Sequence, residues 1–194
     1  MKSLEDYIVV FDDVLDETAC EILIDTYNKS PNHVEQRNDT LMKFNEINIF
    51  ESPKFESFRE LFLFKAKRIA ESYRDYTKAF WPQDLAYEAP RIKKYEPNDG
   101  YFNWHIDSAS AETGKRLLVM FWYLNDVEGG GHTVFNGMKV DPRKGRLVMF
   151  PPLWPYPHAG EEPESNTKYI MSSYLRYNNI LNNFSLKNLW EVIR

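Results

Sequence analysis

Residues 116–150 read RLLVMFWYLNDVEGGGHTVFNGMKVDPRKGRLVMF, and this stretch decides the fold. Three apolar runs, Arg116–Leu124, His132–Val140 and Arg146–Phe150, are separated by Glu128-Gly129-Gly130-Gly131 and Asp141-Pro142-Arg143-Lys144-Gly145. The runs are rich in branched and aromatic side chains that suit a pleated surface, and the Gly and Pro clusters between them mark turns. Short strands punctuated in this way are the pattern of a barrel or a double-sheet roll. Arg91–Tyr95 upstream and Lys168–Tyr177 downstream have the same texture, bounded by Pro97-Asn98-Asp99-Gly100 and by the proline-rich segment Pro151–Pro157. From Tyr87 onward the chain is therefore predicted to be mainly β.

The first half reads differently. Ile8–Phe11 suggests a short strand, and Asp16 is placed to cap a helix over Glu17–Asn28, where Ala19, Ile22, Leu23 and Tyr27 recur at helical spacing. A polar loop over Ser30–Thr40 and a strand over Leu41–Phe50 follow. Ser52 as cap and Pro53 at the first helical position open a second helix reaching about Phe80. Its stripe of Phe55, Phe58, Leu61, Phe62, Ala66, Ile69, Ala70 and Tyr73 reads as core. Leu189, Trp190 and Ile193 suggest a last helix within 180–194. The expected architecture is α+β with a mainly β core, helical support over 1–85 and a sheet core over 86–178, all in one domain.

Composition narrows the function classes. The chain of 194 residues is 43% hydrophobic, 15% aromatic and 27% charged, which suits a packed interior beneath an ordinary charged surface. A net charge of −5 does not favour a nucleic-acid partner, because gripping phosphates requires clustered cations. Apolar runs such as Leu117–Leu124 fall far short of the ~20 residues a spanning helix needs, so no membrane role is expected. The single cysteine, Cys20, and the lack of an apolar run in Met1–Tyr7 lead us to expect a reducing, cytoplasmic setting.

His105-Ile106-Asp107 puts an imidazole and a carboxylate two residues apart, so that in an extended segment both project to one face. A distant second histidine would complete a two-His-one-carboxylate facial triad for iron(II). An H-x-D pair recurs by chance, and alone it reads more readily as a surface histidine beside a solvated aspartate. The third ligand must come from His33, His132 or His158. His33 lies in the polar loop, and His132 follows three glycines at a turn, where a solvent-facing or supporting role is expected. His158 follows Pro151–Pro157, a segment with little backbone freedom that can hold a ligand in place.

Lys168 stands ten residues after His158. Together these segments resemble the catalytic domain of the prolyl 4-hydroxylase type of 2-oxoglutarate/Fe(II) dioxygenases, with its H-x-D, distal H and K ten residues later. Three further segments carry the resemblance: Lys94-Tyr95-Glu96-Pro97 ahead of Phe102–Asp107, Gly130-Gly131-His132-Thr133-Val134-Phe135, and Val140–Pro151 with its V-x-P-x-x-G-x-x-x-x-F-P spacing. The resemblance spans Asp13–Tyr177. It implies a double-stranded β-helix (jelly-roll, cupin-like) core and Fe(II) held by His105, Asp107 and His158. It also implies Lys168 on the distal carboxylate of 2-oxoglutarate, with Tyr95 and Thr133 hydrogen-bonding the same group.

The implied activity is hydroxylation of a C–H bond with O2, 2-oxoglutarate giving succinate and CO2, and with room for ascorbate as an auxiliary reductant. Peptidyl proline is the leading substrate, and a free amino acid or other small molecule the alternative. The family often has Glu where this chain has His132. Trp104, Trp154 and Tyr156 are candidates to line the substrate entry or simply to pack the roll. Glu96, Asp99 and Lys93 are expected on a solvated rim. A cupin-like metal-binding module would not need Lys168, Tyr95 and Thr133 together. A zinc hydrolase would lack its helical H-E-x-x-H spacing, and intact ligands argue against an inactive relative.

Overall fold

The computed structural model describes residues 2–178. The helix expected near the C-terminus, within 180–194, lies outside these residues. The elements in chain order are β1 (Val9–Phe11), α1 (Glu17–Asn28), β2 (Glu35–Asn38), β3 (Met42–Asn48) and α2 (Glu56–Thr77). The strands β4 (Leu85–Tyr87), β5 (Arg91–Tyr95), β6 (Tyr101–His105), β7 (Arg116–Tyr123) and β8 (Thr133–Phe135) follow. The last are β9 (Met138–Val140), β10 (Leu147–Phe150), β11 (His158–Gly160) and β12 (Lys168–Tyr177).

Among the described residues the strands pair antiparallel in the path β1-β10-β7-β12-β5-β3-β6-β11-β8-β9, with β2 added to β3 and β4 to β12. This curled sheet is the mainly β, helix-supported architecture expected from the sequence. Apart from the β8–β9 hairpin, neighbours in the path are far apart in the chain, so the sheet is joined mainly by long-range pairing. As a result β11, which carries His158, lies directly against β6, which carries His105.

Strand β7 shows how the roll is filled. Leu118, Met120 and Trp122 point to the layer where α1 and α2 pack, together with Leu23, Phe62, Ala66 and Tyr73. The alternate residues Val119, Phe121 and Tyr123 point into the roll with Phe135, Val148 and Phe150. Both faces are covered, so the strand reads as a continuous apolar run rather than an alternating one. Phe62 of α2 meets Trp122 edge-on, with ring centroids 5.9 Å apart at 75°.

Several local expectations need revision. Asp16 caps α1 as expected, its carboxylate accepting from the Ala19 amide at 2.8 Å. Ser52 makes no side-chain cap to α2: a 3-10 turn over Pro53–Phe55 intervenes, and the buried Ser52 Oγ has no partner. The helix stops at Thr77, short of Phe80, because Lys78 takes the left-handed conformation at φ 57°. Leu61 is 45% exposed and not core. Part of the expected polar loop forms strand β2, whose residues are all exposed. The run His132–Val140 is a hairpin rather than one strand, turning at Asn136-Gly137, where Gly137 has φ +84°. Asn-Gly supplies the positive φ that such turns require. No helix among the described residues is long and apolar enough to cross a membrane.

Candidate metal centre

His105 ends β6 and His158 begins β11, and the two residues are direct cross-strand partners. Their rings lie 4.2 Å apart between centroids. Asp107 follows two residues after His105, just beyond the strand end. One ligand atom from each of His105, Asp107 and His158 lies within 4.8 Å of the others. The reading that these three converge thus holds in the structure, although His158 is set by strand pairing rather than by the proline-rich loop alone. His33 and His132 lie outside the cluster.

The orientation of both rings follows from the backbone. His105 Nδ1 lies 2.7 Å from the Asn103 carbonyl, and His158 Nδ1 lies 3.2 Å from the Tyr156 carbonyl. A carbonyl only accepts, so Nδ1 carries the proton in each neutral ring and Nε2 is left as a lone pair. That of His158 lies 3.2 Å from Asp107 Oδ2, a buried oxygen with no hydrogen-bond partner. Two lone pairs facing each other call for a cation. Cis ligands on an octahedral ion at about 2.1 Å sit about 3 Å apart, so this pair has the spacing that such an ion requires. His105 Nε2 lies 4.0 Å from Asp107 Oδ1. The residues present fit a divalent metal.

Electrostatics point the same way. Burial, then the neighbouring His158, pushes His105 down to about 4, so it is neutral near pH 7 and free to donate a lone pair. Burial alone would raise the Asp107 carboxyl. The imidazoles of His158 and His105 and the hydroxyl of Tyr174 outweigh it and hold Asp107 below the usual carboxylate range. The centre is walled by rings: Phe102 lies flat on His105 at 3.5 Å and 9°, and Phe150 meets His158 edge-on at 4.7 Å.

Two residues that sequence reasoning missed hold Asp107. Tyr174 donates its hydroxyl to Asp107 Oδ1 at 2.7 Å, and Arg116 Nη1 donates to the Asp107 carbonyl at 3.0 Å. The Arg116 guanidinium also stacks 3.6 Å over the Tyr174 ring and forks onto both oxygens of Glu88. A signal for Tyr174 was available. Period-two counting along β12 puts Lys168, Ile170, Ser172 and Tyr174 on one face. Replacing Tyr174 with phenylalanine keeps the ring under Arg116 and removes only the hydrogen bond. Metal affinity is then expected to fall about tenfold, the low end for losing a partner behind a ligand. A metal titration of wild type against Tyr174→Phe checks this, and equal affinities would deny Tyr174 its positioning role.

The three ligand side chains border a narrow cavity of about 50 Å³, also lined by Lys93, Tyr95, Phe102, Tyr123, Thr133 and Lys168. It adjoins an outer groove of about 610 Å³, the two sharing Lys93, Phe102, His105, Asp107, Ser172 and Tyr174. Lys168 is only 2% exposed, and its ammonium donates to the carbonyls of Gly131 and Glu161, both at 3.0 Å, above the Tyr95 ring. Burial pushes it down to about 7. Thr133 Oγ1 is 2.6 Å from the hydroxyl of Tyr123, a third residue the sequence did not single out. His132 binds Glu161, whose carbonyl receives Lys168, so it sits behind the lysine.

Other candidates fall elsewhere. Tyr156 is buried among inner-face aromatics, and the exposed Trp104 and Trp154 line neither space. Glu96 and Asp99 pair with Lys94 and Lys43 around a separate surface depression. Lys93 is not on a solvated rim: at 8% exposure it is buried, because its place on β5 turns it to the inside of the roll.

Comparison with known proteins agrees with this geometry. Residues 90–176 match the model of a family described as the 2OG-Fe(II) oxygenase superfamily. The chain is 34% identical to a protein of Arabidopsis thaliana named Probable prolyl 4-hydroxylase 3, over 43% of this chain and 37% of that protein. It spans less than half the length of the curated relatives it matches. Among solved structures it resembles the viral collagen prolyl hydroxylase of Paramecium Bursaria Chlorella virus-1 in its 2OG complex. The TM-score is 0.68 at 22% identity, covering 89% of this chain and 97% of that one. It also resembles a Trichoplax adhaerens prolyl hydroxylase in complex with a hypoxia inducible factor peptide fragment. There the TM-score is 0.66 at 13% identity, covering 88% and 84% of the two chains. These likenesses at low identity establish the jelly-roll fold.

Proposed function

We propose that this chain, whose residues 90–176 match the model of the 2OG-Fe(II) oxygenase superfamily, is a 2-oxoglutarate- and Fe(II)-dependent dioxygenase that hydroxylates peptidyl proline. The observation that carries the reading is one cavity with a metal-ligand triad on its wall and a buried ammonium, Lys168, beside it. A cupin-like metal module has no use for the second feature.

His105, Asp107 and His158 hold the iron, and Lys168 takes the distal carboxylate of 2-oxoglutarate, a pairing that offsets the cost of burying its charge. Tyr95 lies beneath the ammonium, and Thr133 lines the same cavity with its hydroxyl held by Tyr123. When bound, iron and 2-oxoglutarate supply the oxidising chemistry, consuming O2 and releasing succinate and CO2 as one oxygen enters a C–H bond. The protein's own work is to orient these groups and keep water out, which the Phe102, Phe135 and Phe150 rings around the imidazoles do. Tyr174 and Arg116 are positioning residues, acting through Asp107. The outer groove is wide enough for a chain segment, and two structural relatives are named for prolyl or peptide work, which supports a peptide as substrate.

The substrate class is tested by mass spectrometry. Proline-containing peptides, free proline and other small amino acids are offered to the iron-loaded protein, and succinate and products one oxygen heavier are scored. Peptide-dependent succinate with hydroxyproline in the peptide is expected. Product from free amino acids alone would overturn the peptide reading in favour of a small-molecule hydroxylase.

A pH dependence follows from Lys168. In the ligand-free cavity its ammonium titrates near about 7, and an anionic carboxylate beside it favours the protonated form. Binding 2-oxoglutarate above pH 7 therefore takes up a proton, and affinity is expected to fall with rising pH, by up to about tenfold per unit. Calorimetric titrations in two buffers of different ionisation enthalpy at pH 8 check the sign. Proton release, or none exchanged, would contradict it.

A further inference from the structure

The wall shared by the inner cavity and the outer groove contains a second buried cation that the reading above does not use. Lys93 lies on β5 between Arg91 and Tyr95, facing inward, and borders both spaces. Among the described residues its ammonium has no hydrogen bond and no ion pair. It rests over two ring faces, 5.0 Å from the Phe44 centroid and 5.5 Å from that of Phe102.

The other groove cations are matched. Arg37 and Arg91 both reach Glu46 Oε1, and Arg116 holds Glu88. Glu46, opposite Lys93 in the β3–β5 register, is thus already engaged by two guanidinium groups. Asp107, the other nearby acid, belongs to the metal triad.

An unpaired buried ammonium is costly, and ring faces offset only part of that cost. Burial accordingly pushes Lys93 below the usual lysine range, with Glu46 and Asp107 pulling the other way. The position is not arbitrary. Phe102, under the ammonium, is the ring stacked on His105, so the unmatched charge stands one aromatic ring from the metal centre. The same ammonium faces the groove in which a substrate must lie to reach that centre.

We propose that Lys93 is a specificity-determining residue that receives a carboxylate carried by the prolyl substrate, where the groove meets the inner cavity. The inference rests on the prolyl hydroxylase reading and names its substrate class: a proline accompanied by an anion. The carboxylate has two sources, the side chain of an acidic residue next to the proline or the α-carboxylate of a chain-terminal proline. A buried cation left without its partner discriminates strongly against the neutral isostere, because the unsatisfied charge remains in the complex.

The test uses three peptide pairs: Glu against Gln before the proline, Glu against Gln after it, and a free against an amidated C-terminal proline. Equilibrium binding is measured by fluorescence anisotropy, anaerobically with Fe(II) and 2-oxoglutarate present, and KM by succinate release in air. One carboxylate member is expected to bind the wild type at least about tenfold more tightly than its amide twin. The pair that discriminates identifies the source. Lys93→Met keeps the aliphatic stem on Phe44 and Phe102. It is expected to erase the discrimination while leaving the amide peptide's affinity and the 2-oxoglutarate KM within about twofold.

The proposal is overturned if no pair discriminates in the wild type, if Lys93→Met still discriminates, or if the variant shifts the 2-oxoglutarate KM instead. Should Lys93→Met fail to fold, the wild-type pairs decide alone. The two readings fail in different ways. Turnover of carboxylate and amide peptides at equal efficiency defeats only the role of Lys93, whereas no peptide-dependent succinate from a protein that binds iron and 2-oxoglutarate defeats the prolyl reading itself.

Discussion

Replacing His158 with alanine is expected to lower iron-dependent turnover by at least about a thousandfold, some 4 kcal/mol at 1.36 kcal/mol per decade. The centre offers no substitute ligand. The side chains around His158 are Phe135 and Phe150, and the remaining histidines sit elsewhere, His132 engaged by Glu161 behind Lys168. Loss of one ligand also removes the imidazole 3.2 Å from Asp107 Oδ2, a buried oxygen with no hydrogen bond of its own. The sheet itself is expected to survive, because β11 is tied to β6 and β8 by its backbone rather than by the imidazole. Circular dichroism of the variant should therefore match wild type while iron content and succinate release collapse. A His158→Ala protein that kept wild-type turnover would remove the residue from the metal centre.

Changing Lys168 to methionine is the second large effect. The methionine stem fills the same space above Tyr95, so the substitution isolates the charge. Truncating one partner of a buried, hydrogen-bonded charge pair costs about 3 kcal/mol, or roughly a hundredfold in Kd. Binding of 2-oxoglutarate is expected to weaken by that factor while iron affinity is spared, since the ligand triad contacts neither Lys168 nor the carbonyls that hold it. Calorimetric titration of 2-oxoglutarate into both proteins reads the difference. Unchanged dependence on 2-oxoglutarate would defeat the co-substrate assignment, and equal loss of iron would show that the lysine supports the metal instead.

What was legible in the chain divides along a physical line. Features decided by neighbours in sequence were readable. The Asp16 cap and the bounds of α1, the β5 run Arg91–Tyr95 and the β12 run Lys168–Tyr177 coincide with the structure. That His105, Asp107 and His158 come together was readable too, through the resemblance whose pattern is H-x-D, a distal histidine and a lysine ten residues on.

Features decided by register between distant strands were not. That Lys93 is buried follows only once β5 is known to lie between β3 and β12 with its odd-numbered face inward. A strand with Arg91, Lys93 and Lys94 reads, by composition, as solvated. Arg116 was hidden for the same reason, since its meeting with Tyr174 at Asp107 depends on the β7–β12 pairing, whereas counting by twos from Lys168 could have placed Tyr174 on the cavity face. The β8–β9 hairpin is a different kind of miss. Asn136-Gly137 is a local signal that was present in the sequence, outweighed by the apolar continuity of His132–Val140.

Convergence of His105, Asp107 and His158 on one iron is open to a decisive check, a crystal structure of the anaerobic complex with Fe(II) and 2-oxoglutarate. A single iron bound by Nε2 of His105, Nε2 of His158 and the Asp107 carboxylate is expected, with the far carboxylate of 2-oxoglutarate on the Lys168 ammonium. Iron bound without His158, or the far carboxylate held by Lys93 or Arg116 with Lys168 still engaged only by the carbonyls of Gly131 and Glu161, would contradict it.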